Sequence, residues 1–135
     1  MKPLSVPTPA PGGGGGDGGR AAWVGQQRER KAVLYVILVY GQGETFYKVG
    51  ITFNLSARFS RLKTLYRWRT VARYSSWNAG KVWDLEQRLH RDFAHLSYSP
   101  AQEFGGKTEC YGEVGELLAT LPMGTFFLKN ITTLI

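Results

Sequence analysis

Apolar residues fill nearly every position from Ala32 to Tyr40 and recur from Thr45 to Ile51. Runs of this length, rich in Val, Ile and Tyr, read as β-strands, and the first, apolar throughout, reads as a central strand covered on both faces. Gly41-Gln42-Gly43-Glu44 lies between them as a tight turn, so the pair forms a hairpin. Turn length sets the register. With Tyr40 opposite Thr45, Ile37 pairs with Lys48 and Tyr35 with Gly50. Opposed side chains share a face, so Tyr35 and Lys48 come to lie on one face, diagonally adjacent. A slip of one residue would separate them.

Beyond the hairpin the period changes. Asn54 offers an N-cap, and Leu55–Trp68 follows as a helix whose apolar stripe is Leu55, Phe59, Leu62 and Tyr66. Leu65 borders that stripe and Arg58 falls between Leu62 and Leu65, inside the apolar arc, while Arg61, Lys63 and Arg67 point away from it. An arginine on the core side is costly unless something pairs with it; the alternative is a border residue that snorkels to solvent. Val71–Trp77 reads as a third strand at a sheet edge. Asn78-Ala79-Gly80 ends it and opens a second helix, Lys81–Leu96, with the stripe Val82, Leu85, Leu89, Phe93 and Leu96. Glu86 stands roughly 60° from the centre of that stripe, a shoulder that can face a cleft. His90 follows one turn later, at the i,i+4 spacing of a metal pair. The plainer reading of Glu86 is a solvated carboxylate salt-bridged to Arg88 or Arg91. Residues 98–107 form a Pro/Gly loop, Glu113–Thr120 a short helix and Gly124–Leu128 a last short strand. The expected fold is α/β in the α+β sense: a small mixed or antiparallel sheet of three strands flanked by helices.

Composition narrows the class. The chain has 135 residues and 17 glycines, many of them in one early run. Residues 1–30 read as a disordered Pro/Gly-rich tail, which leaves a domain over 31–135, enough for one modest core. No apolar run spans a membrane, and no secretory h-region opens the chain. Cys110 is the one cysteine, so neither an intrachain disulfide nor a cysteine-cage zinc site fits. A cytosolic setting, bacterial or host, is expected.

Charge changes the picture more. The net charge is +7. Between Thr45 and Trp83 every charged residue is basic: Lys48, Arg58, Arg61, Lys63, Arg67, Arg69, Arg73 and Lys81. The acids collect later, from Asp84 onward. Basic groups displace counterions from phosphates, and the interleaved Tyr66, Trp68, Tyr74 and Trp77 offer rings for bases. DNA is the expected partner, with Arg61, Lys63, Arg67, Arg69 and Arg73 as its contacts. A small-molecule substrate is not expected.

Leu34-Tyr35-Val36 and Lys48-Val49-Gly50, followed by Arg58 on a helix, resemble the motifs of the GIY-YIG nuclease superfamily, with Lys48 where the second motif has tyrosine. The form YKVGIT, with Glu86-x-x-x-His90 and a Thr108-Glu109 box, is similar to the phage-type DNA-binding branch related to T5 Orf172. The likeness runs from about Lys31 to Leu121. It implies a metal-dependent endonuclease that hydrolyses phosphodiester bonds in DNA. Tyr35 is then the general base, Lys48 the cation that helps a phenol of pKa near ~10 to ionise, Arg58 the phosphate clamp and Glu86 the ligand of one Mg²⁺ or Mn²⁺. The chain departs from the pattern in two places. Leu62 stands where several members carry histidine, for which His90 is the substitute, and no late asparagine is present, Glu109 lying in that region. A non-catalytic DNA-binding module of the same fold is the alternative, and an interaction domain for an acidic protein is a third class. The absence of a Gly-rich loop ending in Lys-Ser/Thr excludes P-loop chemistry.

Overall fold

The computed structural model describes residues 16–60, 65–102 and 109–128, with side chains from Gly19 onward. Five strands form one antiparallel sheet: β1 (Ala32–Gly41), β2 (Glu44–Thr52), β3 (Arg67–Ser76), β4 (Cys110–Tyr111) and β5 (Phe126–Phe127). Their spatial order is β4-β2-β1-β3-β5, so the most apolar strand is central. The helices are α1 (Gly16–Val24), α2 (Leu55–Ser60), α3 (Ala79–Asp92) and α4 (Gly115–Ala119), and a 3₁₀ turn covers Ala94–Leu96.

The hairpin takes the expected register, with Tyr40 opposite Thr45, Ile37 opposite Lys48 and Tyr35 opposite Gly50. The two turn residues, Gln42 and Gly43, have φ of 56° and 80°. A two-residue turn with both φ positive matches the twist of the strands it joins. β1 is buried on both faces. Leu34, Val36 and Leu38 pack with Val82, Leu85 and Leu89 of α3, whereas Tyr35, Ile37 and Val39 pack with Phe46, Tyr66, Leu55 and Phe59. Each such aliphatic side chain contributes about 1.5–3 kcal/mol of burial.

Both predicted caps are present. Asn54 Oδ1 accepts from Ala57 N at 3.0 Å, and Asn78 Oδ1 accepts from Lys81 N at 3.0 Å. A cap of this kind contributes about 1 kcal/mol.

Four differences from the sequence reading matter. Helix α2 is described only to Ser60, and Arg67 and Trp68, expected at the end of that helix, instead begin β3. The sheet has five strands rather than three, because two-residue strands extend both edges. The second helix ends at Asp92 and gives way to the 3₁₀ turn before Leu96. The stretch read as coil contains α1, which docks through Trp23: its ring stacks on Phe53 at 4.3 Å and lies 5.9 Å from Trp83. Arg20 adds a two-pronged ion pair to Asp84, at 2.9 and 3.0 Å. Composition hid this helix, since glycine disfavours helices locally while aromatic packing overrides the preference.

Among the described residues no helix is long and apolar enough to cross a membrane.

Candidate active site

Two charged side chains are buried among the described residues, Lys48 at 1 % exposure and Glu86 at 5 %. A buried charge needs a partner, and each has one within a single constellation.

Lys48 sits mid-strand on β2, opposite Ile37 on one side and Cys110 on the other. Its Nζ donates to Glu109 Oε1 at 2.6 Å. Burial pulls the ammonium toward the neutral form, but Glu109 and Tyr35 outweigh it and hold the lysine above its usual value. Lys48 is therefore a fixed cation.

Tyr35 lies on the same face, as the register requires. Its ring meets Phe59 of α2 edge-on at 5.4 Å. On its other side the phenol lies across Gly50, where an added Cβ would stand 2.5 Å from the hydroxyl oxygen. The glycine of the second motif is thus a space requirement. Burial pushes the Tyr35 phenol up, and the opposing fields of Lys48 and Arg58 do not cancel it. Sequence reasoning named these cations and buried β1 on both faces, but did not carry that burial over to the phenol, which it holds neutral.

Arg58, in the last turn of α2, is half-buried and forms no ion pair with any described carboxylate. Asn54 fixes the start of this helix, and the Arg58 amide donates to the Asn54 carbonyl at 3.0 Å.

Glu86 and His90 project from α3. Burial raises the Glu86 carboxyl; the adjacent His90 imidazole opposes this and the nearby Glu109 adds to it. Burial alone would lower the His90 imidazole, but Glu86 more than reverses that and its pKa is raised. His90 Nε2 stands 3.4 Å from Glu86 Oε2 and, although buried, makes no hydrogen bond. The other ring nitrogen, Nδ1, is hydrogen-bonded to the Tyr111 hydroxyl, whose phenol is held neutral by burial. The solvated reading of Glu86 fails: Arg88 reaches the Thr120 carbonyl and Arg91 pairs with Asp92.

Glu109 joins the two groups. It immediately precedes β4, beside β2, and its carboxylate meets Lys48 as well as the α3 pair. Ligand atoms of Glu86, His90 and Glu109 all lie within 4.8 Å of one another. Two carboxylates and an imidazole, with one nitrogen left without a hydrogen bond, suit a divalent cation. The i,i+4 pair was legible on the α3 wheel; the link to Glu109 was not, because Glu109 is remote from both along the chain and is brought in by the pairing of β4 with β2.

The basic residues divide. Arg61 and Lys63 lie outside the described residues. A bulge between Val36 and Ile37 of β1 leaves Val71 of β3 unpaired and reverses the facing of β3. Arg67 and Arg69 pair with Tyr40 and Leu38, on the face covered by α3, whereas Arg73 pairs with Tyr35 and shares its face. Only Arg73 of the three is brought to the Tyr35 side.

A small antiparallel sheet with a neutral buried tyrosine, a fixed lysine and a Glu-His-Glu cluster defines an α+β domain organised around a polar interior site. The chain belongs to the T5orf172 domain family, whose model matches residues 32–118. This is a phage-type domain associated with nuclease-type folds, and membership suggests a nucleic-acid-related, nuclease-like role. No curated protein and no solved structure matches the chain.

Proposed function

We propose that this domain is a divalent-metal-dependent endonuclease of the GIY-YIG type, acting on the phosphodiester backbone of DNA. The observation that carries the reading is the Glu86-His90-Glu109 cluster, its ligand atoms within 4.8 Å of one another, one hydrogen bond away from the buried Lys48. A purely electrostatic DNA-binding surface needs no buried carboxylates beside its cations.

Glu86, His90 and Glu109 would hold the ion. When Nδ1–H donates to the Tyr111 hydroxyl, the Nε2 lone pair is left on the Glu86 side, which is the tautomer that ligates an ion. A bound divalent cation supplies positive charge where the phosphorane-like transition state gathers negative charge. Arg58, free of described carboxylates, receives a phosphate through its planar fork. Lys48 adds a fixed positive charge next to Tyr35. The Tyr35 phenol, neutral at rest, orients the attacking water by hydrogen bonding, and accepts the water's proton only as the phenolate, formed when the cations around it outweigh burial and its own proton is released to solvent. His90, expected as the substitute for the family's histidine, is a ligand in this reading.

The second reading, a nucleic-acid-binding module without chemistry, draws on the near-complete burial of Tyr35, 1 % exposed. A base must reach its water.

The test is cleavage of supercoiled plasmid and of labelled single- and double-stranded DNA, with Mg²⁺, with Mn²⁺ and with chelator. The parent should cleave only with the metal, and Glu86→Gln should lose about 10²–10³-fold or more in rate. Failure of the parent to cleave DNA or RNA with any common divalent ion favours the binding module.

A further inference from the structure

The ladder sets Gly50, Tyr35, Arg73 and Phe126 in one row across β2, β1, β3 and β5. Directly opposed residues share a face, so all four belong to the face that carries Tyr35 and Lys48. The outer end of the row is unlike a sheet edge built only to close a core. Phe126 is 48 % exposed. The Arg73 guanidinium lies over its ring, 5.0 Å from the centroid. Among the described residues no carboxylate lies within ion-pair range of Arg73. An exposed ring topped by an uncompensated guanidinium presents a flat π surface beside a positive charge.

We infer that Phe126 and Arg73 form a stacking platform for an unpaired nucleotide next to the phosphodiester bond at Tyr35. This inference names the substrate class for the site proposed above and rests on that reading. The charge commits the surface to nucleic acid. In a chain of net charge +7, an aromatic beside a free arginine suits a base and its phosphate, whereas a second copy would bring a like charge. Base pairing status follows from geometry. Within a duplex each base face is covered by its neighbours, so only an unstacked base offers a face to a side chain. Phe126 lies two strand spacings from Tyr35, about 10 Å, a reach of roughly three stacked nucleotides at about 3.4 Å each. The platform thus selects substrates with a single-stranded segment flanking the cut.

Binding by the full chain, read by fluorescence anisotropy in chelator, tests this without any demand on cleavage. The probes are a labelled single-stranded oligonucleotide and a blunt duplex of equal length. Phe126→Ala should weaken single-strand binding about tenfold or more and leave duplex binding within about twofold. Phe126→Tyr should restore it, and Arg73→Ala should weaken it while flattening its salt dependence. Equal loss on both probes, no loss on either, or a parent that sediments as a dimer and becomes monomeric on Phe126→Ala would overturn the platform. A parent that cleaves nothing yet shows the single-strand-specific loss would overturn the nuclease reading and leave the platform standing.

Discussion

Tyr35 and Gly50 face each other across the β1–β2 ladder, and the tyrosine hydroxyl fills the space where a side chain at position 50 would begin, 2.5 Å away. Gly50→Ala should therefore act as a Tyr35 variant. The added methyl forces the phenol from its place between Phe59 and β2, at a cost of about 1–3 kcal/mol for overpacking. Cleavage should fall about as far as in Tyr35→Phe, on the order of 10²–10⁴-fold, with circular dichroism showing the sheet intact. Full activity in folded Gly50→Ala would separate Tyr35 from the chemistry.

Lys48 and Glu109 make an asymmetric pair, because Lys48 is buried and Glu109 has a side-chain exposure of 16 %. Glu109→Gln leaves a cation in the interior and should destabilise by about 3–5 kcal/mol. Lys48→Met leaves a carboxylate that water reaches, and should cost less. Urea unfolding of the two variants and of the double variant gives the comparison. An equal or reversed order would mean that Lys48 finds other compensation.

How much of this was legible in the sequence depended on distance along the chain. The turn between Tyr40 and Thr45 determined which hairpin residues share a face, so the Tyr35–Lys48 relationship could be read directly. Arg58 and Glu86 stood out because each falls at the apolar side of a helical wheel. Contacts closed by tertiary packing could not be read this way. Glu109 reaches Glu86 and His90 from a distant part of the chain, carried there by the β4–β2 pairing. The bulge at Val71 reverses the facing of β3, and no residue type there announces it. Trp68 stood off the apolar stripe of the helix it was assigned to, and pairing with β1 makes it part of a strand. Helix α1 was hidden by the glycines around it.

That helix has a measurable consequence. The stacking of Trp23 on Phe53 and the Arg20–Asp84 pair tie α1 to the domain. An aromatic pair adds about 0.5–1.5 kcal/mol beyond its buried area. A chain beginning at Arg30 should thus melt several degrees lower than the full chain, by roughly 4–8 °C per kcal/mol lost at this size. Trp23→Ala should reproduce most of the shift. An unchanged midpoint would return residues 16–30 to the role of a dispensable tail.

Glu44, at the hairpin turn, accepts from the hydroxyls of Tyr66 and Tyr98 and from the Ala101 amide. The Tyr66 hydrogen bond first, then that of Tyr98, holds its carboxyl below the usual glutamate value of 4.5. A lowered folded-state pKa means that the unfolded chain takes up the proton first. The stabilisation is complete above about pH 4.5 and is lost as pH falls through the lower folded value. Glu44→Gln should be less stable than the parent at pH 7 and should converge toward it at pH 3. A gap that stays constant from pH 7 to pH 3 would rule out the ionised clamp.

The cation site is tested most directly by counting Mn²⁺. Electron paramagnetic resonance of free Mn²⁺, titrated with the full chain at pH 7.5 without DNA, reads occupancy independently of catalysis. The parent should bind one ion, and Glu86→Gln, His90→Ala and Glu109→Gln should each weaken binding about tenfold or more, with Arg73→Ala unchanged. A parent that binds no Mn²⁺, or Glu86→Gln binding it as tightly as the parent, would contradict the site.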